Sequence, residues 1–78
     1  MRRGLPVERY SAAQVFERDG WMCMLCLEPI DRGASWPASR SASIDHIVPI
    51  SLGGHDVWGN VQSAHLGCNS RKSNKVAV

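Results

Sequence analysis

Five polar residues in the second half of the chain have the types that phosphate chemistry needs: the adjacent pair Asp45-His46, then Asn60, Asn69 and Lys72. Asp45 and Asn69 offer hard oxygen donors, the kind Mg²⁺ or Mn²⁺ takes, with water and a phosphate oxygen filling the remaining positions. The imidazole of His46 is the side chain best suited to accept a proton from water near neutral pH. A base beside a metal beside a basic helix is what phosphodiester hydrolysis requires. The base generates hydroxide, and the metal stabilises charge on the phosphate and on the departing oxygen. Taken singly, each residue also has an ordinary structural reading. His46 could be a satisfied strand histidine, Asp45 a turn former, Asn60 an Asx-turn stabiliser, Asn69 a helix cap and Lys72 a solvated charge.

A second set of residues has metal chemistry of another kind. Cys23-Met24-Leu25-Cys26 and His65-Leu66-Gly67-Cys68 form C-x2-C and H-x2-C pairs. Two residues between ligands let both point at one ion, and three thiolates plus one imidazole complete a tetrahedral zinc site. All four positions are then protein ligands, so such a site is structural and not catalytic. The three cysteines cannot pair off within one chain. That argues against a disulfide framework and for a reducing compartment.

Both sets must be positioned by a short chain. Its 78 residues make one small domain, with only five aromatic residues to build a core. A thin core of this size usually needs a metal, a disulfide or a partner. Residues 1–10 read as an irregular N-terminal arm. Ser11 with Gln14 three residues on forms a capping box, and Ala12, Val15 and Phe16 give a helical apolar stripe that Gly20 is placed to end. The Ser-, Ala-, Gly- and Pro-rich stretch 31–43 reads as a loop containing Trp36. Residues 44–48 and 61–64 read as short strands separated by Pro49 and Gly53-Gly54, with a helical turn at Val57 and Trp58. Residues 66–74 read as a helix. The expected architecture is α+β: helix, loop, then β-β-α. Adjacent residues on a strand face opposite sides, so Asp45 and His46 can serve one phosphate only if the strand bends or ends there.

Charge and composition narrow the class further. The net charge is only +2, but Arg2, Arg3 and Arg9 lie at one end and Arg71, Lys72 and Lys75 at the other. Asp56 is the single carboxylate of the last third. Basic ends suit phosphate contacts, and also simple solvation. There is no apolar run of membrane-spanning length and no signal-type apolar stretch near Met1. The expectation is a cytoplasmic protein.

The run Ile44-Asp45-His46-Ile47-Val48-Pro49-Ile50-Ser51-Leu52-Gly53-Gly54, with Asn60-Val61-Gln62 and Cys68-Asn69-Ser70-Arg71-Lys72, closely resembles the HNH endonuclease family of phages and bacteria. Arg18-Asp19-Gly20 before the first cysteine pair fits as well, so the resemblance spans residues 11–75. It implies a ββα-metal (His-Me finger) fold, with residues 11–78 as the nuclease domain. It implies His46 as general base, Asp45 and Asn69 as ligands of a single catalytic Mg²⁺ or Mn²⁺, and Asn60 as the brace of the loop that orients the base. It implies Cys23, Cys26, His65 and Cys68 around a structural zinc, His65 standing where many members have cysteine. Arg71, Lys72 and Lys75 would contact DNA. Some nucleases of this fold carry a further histidine one turn after the Asn69 position. Here that residue is Ser73, which leaves two protein ligands for the catalytic ion. His55 has no role in the family pattern and reads as a surface residue.

The expected function is hydrolysis of DNA phosphodiester bonds in a bacterial cell or phage-infected host, leaving a 3′-hydroxyl and a 5′-phosphate. The alternative is a zinc-stabilised, non-catalytic nucleic-acid-binding module, which needs the cysteines and basic ends but not Asp45-His46. A third reading is a fragment that works only within a larger assembly. With no sequence-reading module visible, target choice would come from a homodimer, a larger phage or restriction protein, or the shape of the DNA.

Overall fold

The computed structural model describes residues 9–72. Helix α1 (Ala12–Arg18) begins at the expected cap: Ser11 Oγ accepts from the Gln14 amide, and the Gln14 side chain accepts from the Ser11 amide. It ends at Arg18. Gly20 and Trp21 both take positive φ and turn the chain into the first cysteine pair. That pair sits in a tight hairpin closed by a bridge between Met22 and Pro29 and by Cys23 N–H to Glu28 and Ile30 N–H to Trp21.

Strands β1 (Ala42–His46) and β2 (Val61–His65) pair antiparallel, from Ala42 opposite His65 to His46 opposite Val61. Helix α2 (Leu66–Lys72) follows β2 without a linker and packs across both strands. The order is therefore α1, then β1-β2-α2, an α+β arrangement of the ββα-metal type. Single 3₁₀ turns at Ile50–Leu52 and Trp58–Asn60 punctuate the loop between the strands.

Strand β1 differs from the expected 44–48. It starts two residues earlier because Ser41, Ala42 and Ser43, which read as loop, are bound in: Leu66 N–H donates to the Ser41 carbonyl, and Ser43 Oγ donates to the Ala64 carbonyl. It stops two residues earlier because Val48 N–H is taken by the Asn60 side chain in place of a strand partner. Strand β2 runs one residue beyond the expected 61–64, through His65. Beyond Lys72, the last residues of the expected helix 66–74 lie outside the described residues, as does most of the N-terminal arm.

The core is as thin as the size suggests. Among the described residues its buried apolar side chains are Val15, Cys23, Ile30, Val61 and Ala64, joined by buried Ser41, Asp45, Ser63 and His65. Cys23, Ile30 and Ala64 form the central cluster, with Trp21, Leu25, Ala42 and Cys68 packed against it. Two of those seven residues, Cys23 and Cys68, are candidate zinc ligands, so the apolar core and the candidate ligand cluster are one body. Every buried side-chain nitrogen and oxygen among the described residues has a hydrogen-bond partner. Trp36 is 77% exposed and contributes nothing to this core. No helix among the described residues is long and apolar enough to cross a membrane.

Candidate functional site

The hairpin after α1 and the β2–α2 junction bring Cys23, Cys26, His65 and Cys68 together. Their ligand atoms all lie within 4.8 Å of one another. His65 Nδ1 is 3.4 Å from Cys26 Sγ and 3.8 Å from Cys68 Sγ. A zinc tetrahedron with bonds of about 2.0–2.3 Å has edges of roughly 3.3–3.8 Å, so the two His65–sulfur separations fit that ion. The imidazole is held for the purpose. His65 Nε2–H donates to the Pro29 carbonyl at 3.0 Å, which leaves Nδ1 as the unprotonated nitrogen facing the sulfurs.

The thiols of Cys23 and Cys68 shift in opposite directions. Burial works to raise Cys23, but hydrogen bonds from the backbone of His65, Cys26 and Leu25 outweigh it and bring the thiol down to about 7. Burial pushes Cys68 up to about 11, helped by hydrogen bonds and repulsion from Cys26 and Cys23. The part of the Cys68 rise that comes from its neighbours reflects their closeness: sulfurs this near one another cannot all be thiolates without a cation among them. The four residues therefore form a candidate zinc site.

The second cluster lies where β1 ends. Strand alternation sends Asp45 inward, where it is 2% exposed, while His46 faces outward. Both oxygens of the Asp45 carboxylate are engaged, Oδ1 by Lys72 Nζ at 2.7 Å and Oδ2 by Gln62 Nε2 at 2.8 Å. Lys72 Nζ also donates to the His46 carbonyl at 2.6 Å. The ammonium thus ties the inward residue of the pair to the backbone of the outward one. Asn69, one turn earlier on α2, donates through Nδ2 to the Ile44 carbonyl and to Ser43 Oγ, and among the described residues its Oδ1 has no hydrogen-bond partner. Asp45 and Asn69 fit a hard divalent ion by donor type. A second cation at Asp45 must share the carboxylate with Lys72 or displace it.

The Asp45–Lys72 pair is buried, with the lysine side chain only 7% exposed. Removing one partner of such a pair strands the other charge in the interior. Lys72→Met is expected to lower stability by about 3–5 kcal/mol, read by urea unfolding of the zinc-loaded protein. Adding Asp45→Asn in the same chain should recover much of the loss, because no unpaired charge is then left.

Asn60 organises the loop between the strands. Its Oδ1 accepts from Val48 N–H at 2.9 Å, and its Nδ2 donates to the Val48 and His55 carbonyls at 3.0 and 2.8 Å. One side chain thereby ties both sides of the loop. Gly54 is required at the pinch: a β-carbon there would sit 1.8 Å from the Val48 carbonyl oxygen and 2.9 Å from Asn60 Nδ2. Gly54→Ala is expected to cost roughly 1–3 kcal/mol, as overpacking against backbone does. Gly59→Ala meets nothing within 4 Å and serves as the control in thermal unfolding.

Helix α1 holds the same loop from the other side. The Arg18 guanidinium stacks 4.5 Å over the Trp58 ring and donates to the Trp58 and Val61 carbonyls. Asp19 accepts from Ser63 N–H on β2; burial would raise its carboxyl, but hydrogen bonds from Arg18 and Ser63 hold it below the usual range.

The braced loop delivers a residue that sequence reading did not single out. Asp56 Oδ1 lies 2.8 Å from His46 Nε2, and Tyr10 hydroxyl donates to the same oxygen. These bonds, from Tyr10 first and His46 second, keep the Asp56 carboxyl below its usual range. Burial, and then the bond to Asp56, pushes the Tyr10 phenol up to about 12. The signal available beforehand was that Asp56 is the lone acid in a basic third of the chain.

Of the residues expected to contact DNA, Arg71 is exposed and reaches Cys68 Sγ at 3.4 Å, whereas Lys72 is engaged as above. Lys75 lies outside the described residues. The side chain of His55 is on the surface, and only its carbonyl takes part, in the Asn60 brace. A family model described as HNH endonuclease matches residues 23–75, from the first candidate zinc ligand to beyond α2. No curated protein and no solved structure matches the chain.

Proposed function

The chain belongs to the HNH endonuclease family, and from that premise we propose that it hydrolyses phosphodiester bonds in DNA. The observation that carries this reading is the reach of Lys72. From the helix bearing Asn69, its ammonium contacts both Asp45 and the backbone of His46. Candidate metal donors and candidate base are thereby held as one unit.

In this reading His46 takes a proton from a water molecule, and the hydroxide so formed attacks phosphorus. The bond from phosphorus to the 3′-oxygen breaks, and that oxygen leaves as a 3′-hydroxyl after taking a proton from solvent. A divalent ion of the Mg²⁺ or Mn²⁺ type, held by Asp45 and Asn69, supplies charge stabilisation at the phosphate. Asn60 keeps the loop in register with the base. Arg71 and Lys75 attract the backbone, while Lys72 stays on Asp45 and the His46 carbonyl. Zinc on Cys23, Cys26, His65 and Cys68 holds the scaffold together. Phosphate contacts position without reading sequence, so target choice falls to a second copy or to a larger phage or restriction protein. The setting we propose is the cytoplasm of a bacterium or of a phage-infected host.

Treating duplex DNA with zinc-loaded protein and Mg²⁺ or Mn²⁺, then with DNA ligase, tests the product chemistry. Nicks with a 3′-hydroxyl and 5′-phosphate are resealed. DNA that is bound but never cut points instead to the non-catalytic binding module.

A further inference from the structure

We infer that Asp56 is a positioning residue for His46, itself anchored by Tyr10 from the N-terminal arm. The inference rests on the nuclease reading above and deepens it. A carboxylate oxygen can only accept, so the 2.8 Å contact assigns the proton of that pair to His46 Nε2. The ring is then fixed by its far nitrogen, and Nδ1 is left to take the proton from water. An imidazole on a strand end with no such partner turns about its side-chain bonds, and misorientation of a reacting group by even an ångström is costly.

The partner is exposed, with 59% of the Asp56 side chain open to solvent, so it needs holding. Three separate contacts do this. Tyr10 hydroxyl donates to the very oxygen that His46 uses. Asn60 ties the loop on both sides through Val48 and His55, the residue before Asp56. Arg18 secures Trp58, two residues after it. The acid is therefore anchored by a residue forty-six positions away in the chain, which a loop carboxylate with only a solvating role does not require.

Asp56→Ala, made in the full zinc-loaded chain, is expected to lower kcat on a duplex oligonucleotide roughly 10- to 100-fold, with KM unchanged. Asp56→Asn keeps an oxygen to accept the N–H and should retain more activity than Asp56→Ala. Tyr10→Phe, which leaves Asp56 in place, should give a smaller loss of the same kind. A readout free of catalysis accompanies these. In ¹H–¹⁵N spectra of the DNA-free protein, the His46 Nε2–H signal, assigned by its disappearance in His46→Ala, should be visible and should be lost in Asp56→Ala. Cleavage by Asp56→Ala at the wild-type rate, a loss expressed only in KM, an imidazole signal that survives in Asp56→Ala, or equal losses in the Ala and Asn variants would overturn the inference while leaving the nuclease reading intact. A wild-type protein that cuts nothing overturns both.

Discussion

His46→Ala is expected to abolish cleavage, lowering the single-turnover rate on duplex DNA by about 10²- to 10⁴-fold, the usual contribution of a positioned general base. The reason lies in where the strand ends. His46 is the last residue of β1, and its side chain faces away from Asp45, toward the loop carrying Asp56. No other histidine is placed to substitute. His65 is committed to the sulfur cluster and Pro29, and His55 has its side chain at the surface. The substitution should leave the fold in place, because the contacts that tie residue 46 to α2 run through its backbone carbonyl, not its ring. DNA affinity should change little, since the imidazole is not among the basic contacts. A large rate loss with retained binding and an unchanged melting temperature is the expected signature.

Loss of the metal cluster is expected to have the larger effect on the fold. Structural zinc contributes roughly 10–16 kcal/mol in small zinc domains, more than or comparable to the 5–15 kcal/mol net stability of a typical protein. Here the dependence should be near-complete, because Cys23 and Cys68 belong to the same packed cluster as Ile30, Ala64 and Trp21. Cys68→Ser, or chelation of wild-type protein, is expected to remove the cooperative thermal transition and leave a largely unfolded circular-dichroism spectrum. Metal analysis of the intact protein should give about one zinc per chain. Acid acts in the same direction. The thiolates must be free of protons to bind, so affinity falls as pH falls. Cys23, already down to about 7, yields its proton more readily than Cys68, which is raised to about 11 and depends more on the ion. A Cys68→Ser protein with full zinc content and an unchanged melting temperature would refute this picture.

The zinc candidates were legible in the sequence because metal geometry is local: two residues between ligands, twice, with an odd cysteine count asking for His65. The start of α1 was legible for the same reason, since a capping box is written within four residues. The limits of β1 were not. Ile44 through Val48 looks like an apolar strand, yet beyond His46 the Ile47 amide pairs with the Asn60 carbonyl and the Val48 amide with the Asn60 side chain, twelve residues away. Nor did the run around Ser41 look like strand, because its burial comes from β2 and α2. Lys72 read as a solvated or phosphate-binding charge on composition. Its burial against Asp45 depends on the crossing of α2 over β1, which no local pattern encodes. Tyr10 and Asp56 were beyond reach for a similar reason: each is ordinary in its own segment, and their joint relation to His46 exists only after α1 has docked on the loop.

The most direct measurement is conversion of supercoiled plasmid by zinc-loaded wild-type protein and by His46→Ala, side by side, with Mg²⁺ or Mn²⁺ and with neither. The reading of this chain as a metal-dependent nuclease with a histidine base expects relaxed or linear DNA only from the wild type, and only when the divalent ion is present. Equal conversion by both proteins, or no conversion by the wild type in either ion, would contradict it.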